Sequence, residues 1–132
     1  MNIKTGPGIT ALYMASQNGH TEVVKELLAK GADVNIKTGD GVTALMIASE
    51  MGHTAVVKVL LAKGADVNAQ WQTGATALIM ASEKGHKEVV KELLAKGADV
   101  NIKAGNGATA LSIVSRNGHK EIVGLLKSAG AK

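Results

Sequence analysis

Asn35 to Val67 reads NIKTGDGVTALMIASEMGHTAVVKVLLAKGADV, and this stretch decides the fold because it recurs. Asn2, Asn35, Asn68 and Asn101 stand 33 residues apart, as do the pairs Gly19-His20, Gly52-His53, Gly85-His86 and Gly118-His119. Glu22–Asn35 is repeated letter for letter at Glu88–Asn101. A fixed period of this length, free of insertions, marks stacked supersecondary units, none of which buries its apolar face alone. The chain therefore divides near 2–34, 35–67, 68–100 and 101–132 within a single 1–132 domain. Shared residues are expected to be scaffold, and function is to be sought where the copies differ.

Within the first copy, Asn2–Gly8 is rich in Gly and reads as an exposed turn or hairpin tip. Thr10 is placed to N-cap a short helix, its hydroxyl accepting from a free amide of the first turn. Leu12, Ala15 and Ser16 then share one face made of small and apolar side chains. Asn18-Gly19 stops that helix. A second helix, about Thr21 to Lys30, offers Val23, Val24, Leu27 and Leu28 to the core and turns Glu22, Lys25, Glu26 and Lys30 to water. Glu26 and Lys30 stand four apart, a pair worth only about 0.3 kcal/mol. Burial of Leu27, Leu60 and Leu93 should contribute roughly 1.5–3 kcal/mol each.

Composition narrows the rest. With 132 residues there is one compact unit. The 45% hydrophobic fraction is almost wholly aliphatic, with Phe 0, Trp 1 and Tyr 1. Cys is 0, which removes disulfides and thiolate metal sites. No stretch reaches the ~18 apolar residues of a membrane span, and MNIKTGPGIT has no signal-peptide core, so the cytoplasm is the default compartment and no membrane partner is expected. The net charge of +4 is spread along the chain and is far from a nucleic-acid footprint.

These columns resemble the ankyrin repeat family over residues 2–132. The resemblance rests on Gly8, Gly41, Gly74 and Gly107, on Thr10-Leu12 with its copies, on the Ala15 column, on the Gly-His pairs and on the GADVN loops. It implies an all-α solenoid of helix–turn–helix repeats with hairpin or turn fingers. The family's Thr-Pro-Leu-His becomes TALY, TALM, TALI and TALS here, and its usual finger Asp becomes Thr5, Thr38, Trp71 or Ala104. Lys127 replaces the Leu28, Leu61 and Leu94 column, as an end repeat without a further neighbour requires. The first copy carries no such edit; either more repeats precede it or it is a designed start. The chain should be mostly monomeric, with weak self-association through this uncapped repeat.

Chemistry finds little footing. Equivalent positions of stacked helices sit about 8–10 Å apart, too far for the His column to converge on one metal ion. His20 and its copies are expected to help the turn into the second helix. Ser16, Ser49, Ser82 and Ser115 lie on the packed side of a helix, unlike a nucleophile on an exposed strained turn. Asp33, Asp66 and Asp99 recur as a ladder rather than a cluster. No enzyme activity and no cofactor are expected.

The irregular residues point instead to a protein partner of unknown identity. The third finger, NAQWQTG, places Trp71 beside Gln72 and Thr73; the ring either stands exposed at the tip, as Trp at binding hot spots does, or folds back over its neighbours' fingers. Helix 1 varies at Tyr13, Met46, Ile79 and Ser112, and at its end through Gln17, Glu50-Met51, Glu83-Lys84 and Arg116. In the family these positions and the finger tips line the concave, partner-binding groove. Met14, Ile47, Met80 and Ile113 form a further apolar stripe, better read as packing than as recognition. The near-identity of the copies also fits an alternative, an engineered scaffold with no natural partner.

Overall fold

Thr10, Thr43, Thr76 and Thr109 each begin a helix in the way their hydroxyls dictate. Their Oγ1 atoms accept from the amides of Tyr13, Met46, Ile79 and Ser112 at 3.1–3.2 Å. The computed structural model describes residues 4–5 and 9–132. The tip of the first finger, with Gly6 and Gly8, and the Asn2 position lie outside the described residues. A two-residue ladder, β1 (Lys4–Thr5) against β2 (Ile9–Thr10), opens the described chain and is antiparallel.

Helix pairs follow in strict alternation. They are α1 (Ala11–Gln17) and α2 (Thr21–Ala29), α3 (Ala44–Met51) and α4 (Thr54–Ala62). Then come α5 (Ala77–Lys84) and α6 (Lys87–Ala95), α7 (Ala110–Asn117) and α8 (Lys120–Ser128). Odd-numbered helices form one row and even-numbered helices the other, each touching its equivalent in the next pair. The result is an all-α repeat solenoid.

The core is the seam between the rows. Leu45, Val56, Val57, Leu60, Leu78, Val89, Val90, Leu93 and Leu126 are sealed from solvent. The first and last helix pairs differ from the middle ones because each packs on one neighbouring pair and its other face is wet. Val23 is 47% exposed and Leu27 half-buried, whereas Val56, Val89, Leu60 and Leu93 are at 0%. The expectation that Leu27 is buried like Leu60 and Leu93 is therefore corrected. At the other end Ser112, Ser115 and Lys127 are exposed, and polar groups there need no partner in the protein. The Glu26–Lys30 pair is also replaced: Lys25 Nζ reaches Glu22 at 3.4 Å instead.

Two side-chain columns fasten each repeat to the next. Asn35 Oδ1 accepts from the Asp66 amide at 2.7 Å, and Asn68 Oδ1 from the Asp99 amide at 2.7 Å. Asp66 and Asp99 in turn accept from the amides of Asn68 and Asn101, closing each loop on itself. The His column has a longer reach than the turn into helix 2 expected for it. His53 Nε2 donates to the Gln17 carbonyl at 2.9 Å and His86 Nε2 to the Glu50 carbonyl at 2.8 Å, each one repeat back. A carbonyl only accepts, so both rings carry their proton on Nε2. No side-chain bond from these residues caps its own helix.

The Gly before the His in the first three repeats, Gly19, Gly52 and Gly85, is explained by the same contact, whereas Gly118 faces open space. Gly52 has φ +76, which disfavours any side chain, and a Cβ built there would stand 2.8 Å from the ring of His86. By contrast, Gly64 shares the positive φ but faces open space. The Gly-His pair is thus an inter-repeat clasp in which the glycine makes room for the next repeat's imidazole.

Candidate functional site

The fingers and the odd-numbered helices enclose two adjoining grooves. A cleft of about 480 Å³ runs between the third and fourth fingers and α5 and α7. Trp71, Thr73 and Asn106 stand on its finger side, Ile79, Met80 and Ile113 form its floor, and Glu50 and Glu83 stand at the helix side. A second groove of about 220 Å³ adjoins it, bounded by α1, the second finger and α3, and Trp71 is a wall of both.

Trp71 owes its place to one hydrogen bond. Its Nε1 donates to the Asp40 carbonyl at 2.7 Å, laying the indole across the second finger. One repeat later the equivalent carbonyl, that of Thr73, accepts from the Gly105 amide at 2.7 Å. The Gly39 and Gly105 column carries Gln72 in the third finger. There the link between fingers is made by the Trp side chain and not by that backbone amide. The packing of the fourth finger on the third still needs a glycine in the third: a Cβ on Gly74 would meet the Gly105 nitrogen at 2.8 Å. Trp71 is consequently half-buried and held, with part of its ring open to the groove.

The second, third and fourth fingers are braced without the family's Asp. The backbone closes with Thr38 N to Val42 O, Trp71 N to Ala75 O and Ala104 N to Ala108 O at 2.8–2.9 Å. Local side chains add to it: Thr38 Oγ1 accepts from Val42, Gln70 Nε2 donates to Gly74, and Asn106 Oδ1 accepts from Ala108.

The residues expected to face a partner divide into three groups. Trp71, Tyr13, Thr73, Glu50 and Glu83 converge on the two grooves. Gln72, Met51, Lys84 and Arg116 are exposed around them, and Gln17 is half-buried with its carbonyl engaged by His53. Met46 and Ile79 differ from expectation, being buried at 1% and 6%. Met46 turns down because its sulfur lies 3.5 Å from the Thr43 amide at the start of α3. They serve as floor, with little area to offer. Ile47, Met80 and Ile113 are buried at 7–8%, in keeping with packing, while Met14, in the first helix, is 41% exposed. Asp40 and Asn106 are groove residues that sequence reasoning passed over; they share the column of Thr73, which differs in every copy.

Tyr13 reports on the groove's electrostatics. Partial burial holds its phenol above the ordinary tyrosine range, and the negative charges of Glu50 and then Asp40 raise it further. An acid whose folded pKa is raised favours the folded state below its unfolded pKa and loses that contribution as pH rises through the folded value. Because Tyr13 is the sole tyrosine, phenolate absorbance follows it directly. Glu50→Gln is expected to lower its midpoint while leaving it above that of the unfolded chain; an unchanged midpoint would show that Glu50 is not felt there.

Among the described residues no three His, Asp or Glu come together as metal ligands, and no helix is long and apolar enough to cross a membrane. The Ser16, Ser49 and Ser82 hydroxyls are sealed in the core with no groove in front of them.

A stack of helix pairs clasped by repeated side chains defines an α-solenoid repeat protein. The chain belongs to the ankyrin repeat family, whose model of ankyrin repeats (3 copies) matches residues 1–71 and 69–132. No curated protein matches it. Ankyrin repeats are generally protein–protein interaction modules and typically non-enzymatic.

Proposed function

We propose that this chain is a non-enzymatic module that binds a protein partner through the groove between its fingers and odd-numbered helices, centred on the second and third repeats. The observation that carries the reading is Trp71, fixed by Asp40 and shared as a wall by two adjoining grooves. A large ring that is already ordered loses little freedom on binding, which is what an anchor residue needs. Around it Thr73, Glu83, Lys84, Gln72, Met51 and Arg116 supply a mixed rim. Ile79 and Met46 shape the floor from beneath.

Affinity capture with the wild-type chain, Trp71→Ala and Met51→Glu provides the test. The same captured protein should be lost with both variants while helical circular dichroism is retained. Capture that survives both substitutions places the site elsewhere. The alternative, an engineered array without a natural partner, is favoured by the letter-for-letter identity of Glu22–Asn35 and Glu88–Asn101; it expects no specific capture even by the wild-type chain. The exposed Met14 and Val23 support weak self-association of an otherwise monomeric chain through its first repeat.

A further inference from the structure

The smaller groove has a chemistry of its own. Both aromatic side chains of the protein, Tyr13 and Trp71, line it together with the carboxylates of Asp40 and Glu50. The adjoining cleft adds Glu83, and neither groove is lined by any Lys or Arg. That is a local reversal in a protein with 15 Lys+Arg against 11 Asp+Glu. Nor are the groove's carboxylates neutralised by ion pairing. The ion pairs among the described residues are Lys25–Glu22, Lys87–Glu121 and Lys91–Glu88, all carried by the even-numbered helices.

The rings are suited to the same charge. Aromatic faces are electron-rich and attract a cation placed over them, more strongly where water is partly excluded. The bond from Trp71 Nε1 to the Asp40 carbonyl sets the indole before any ligand arrives. After burial, which is the larger cause, the charges of Glu50 and then Asp40 also hold up the phenol of Tyr13, so both carboxylates are felt in the groove. The floor, made by Met46, Ile47 and Met80, is apolar and suits the methylene stem that precedes an ammonium or guanidinium group.

We propose that this groove receives the cationic side chain of a Lys or Arg carried by an extended segment of the protein partner, an inference that rests on the groove reading above. The charged head lies between the Tyr13 and Trp71 rings and the Asp40 and Glu50 carboxylates. Its stem lies along Met46 and Met80. A volume of about 220 Å³ accommodates one long side chain, not an element of secondary structure. An acidic segment would meet unpaired carboxylates and no compensating cation.

Trp71 is the sole tryptophan, so its fluorescence reads the groove in the intact chain. The probes are a blocked Gly-Gly-Lys-Gly-Gly peptide, its Arg counterpart and its norleucine counterpart, which keeps the stem without the charge. The Lys and Arg peptides should give saturable changes, about tenfold tighter than norleucine, weakened about three- to tenfold by Glu50→Gln or Asp40→Asn and by added salt. Glu121→Gln, on α8, should change nothing. Equal binding of the Lys and norleucine peptides, or no response to the Lys peptide, overturns the proposal. If the Lys peptide fails while Trp71→Ala still abolishes partner capture, the cation proposal falls and the groove reading stands. If the peptide binds while capture ignores Trp71→Ala, the groove reading falls, and the partner segment falls with it as the occupant.

Discussion

Leu60→Ala is expected to destabilise the chain by about 2–5 kcal/mol, the range for a fully buried leucine whose cavity the surroundings cannot refill. Leu60 is at 0% exposure in α4, with helix pairs packed on both sides. Leu93, at the equivalent place in α6, should behave alike. Leu27→Ala should cost less, because Leu27 is already partly in water and a smaller enclosed cavity forms. Urea unfolding of the three variants gives the comparison through their midpoints. Equal losses at Leu27 and Leu60 would mean that the outer face of α2 is covered in solution, as self-association through the first repeat requires.

That contrast also shows what was legible in the sequence. The period of 33 fixed the helix pairs, and the caps at Thr10, Thr43, Thr76 and Thr109 fell where hydroxyl chemistry places them. Such features depend on residues a few positions apart, so they can be read from one copy. What one copy hides is anything reaching into the next. The His53 bond to Gln17 spans 36 positions, and the Trp71 bond to Asp40 spans 31. Period alone does not say that an imidazole points backward onto its neighbour's glycine. Likewise Tyr13 and Met46 occupy one column, yet only Tyr13 lines the groove from a half-buried position, because the Met46 sulfur turns toward Thr43. Column membership predicts where a Cα sits; the local partner decides where the side chain goes.

The groove follows the same logic. Its members came into view as breaks in the repeat, and Trp71 was the largest break. Its geometry depends on a second, smaller one. Gln72 stands where Gly39 and Gly105 repeat, and in this finger the indole supplies the link to the finger before. Asp40 was missed because its contribution to that link is a backbone carbonyl, which any residue carries.

Substituting Ser16, Ser49 and Ser82 together by Ala is expected to stabilise the protein. These hydroxyls are at 0% exposure and have no hydrogen-bond partner in the structure. A buried polar group left without a partner costs about 1–3 kcal/mol in lost hydration. Each position is also helical, where Ala exceeds Ser by roughly 0.5 kcal/mol. Taking the low end of these terms and allowing for the small void that the oxygen leaves, replacement should gain about 1 kcal/mol per site. The sites lie one repeat apart on helices whose axes are about 8–10 Å from one another, so the gains should nearly add, to about 3 kcal/mol. For a chain of this size such a gain raises the Tm by on the order of 10 °C. Ser115→Ala is the internal control. It occupies the same column at the open end of the stack, where its hydroxyl is exposed and already hydrated, and it should gain only the propensity term. Thermal and urea unfolding of the triple variant beside Ser115→Ala separates the two contributions. A triple variant no more stable than wild type would mean that each buried hydroxyl finds a bond in solution, and the Ser column would then be a satisfied part of the packing.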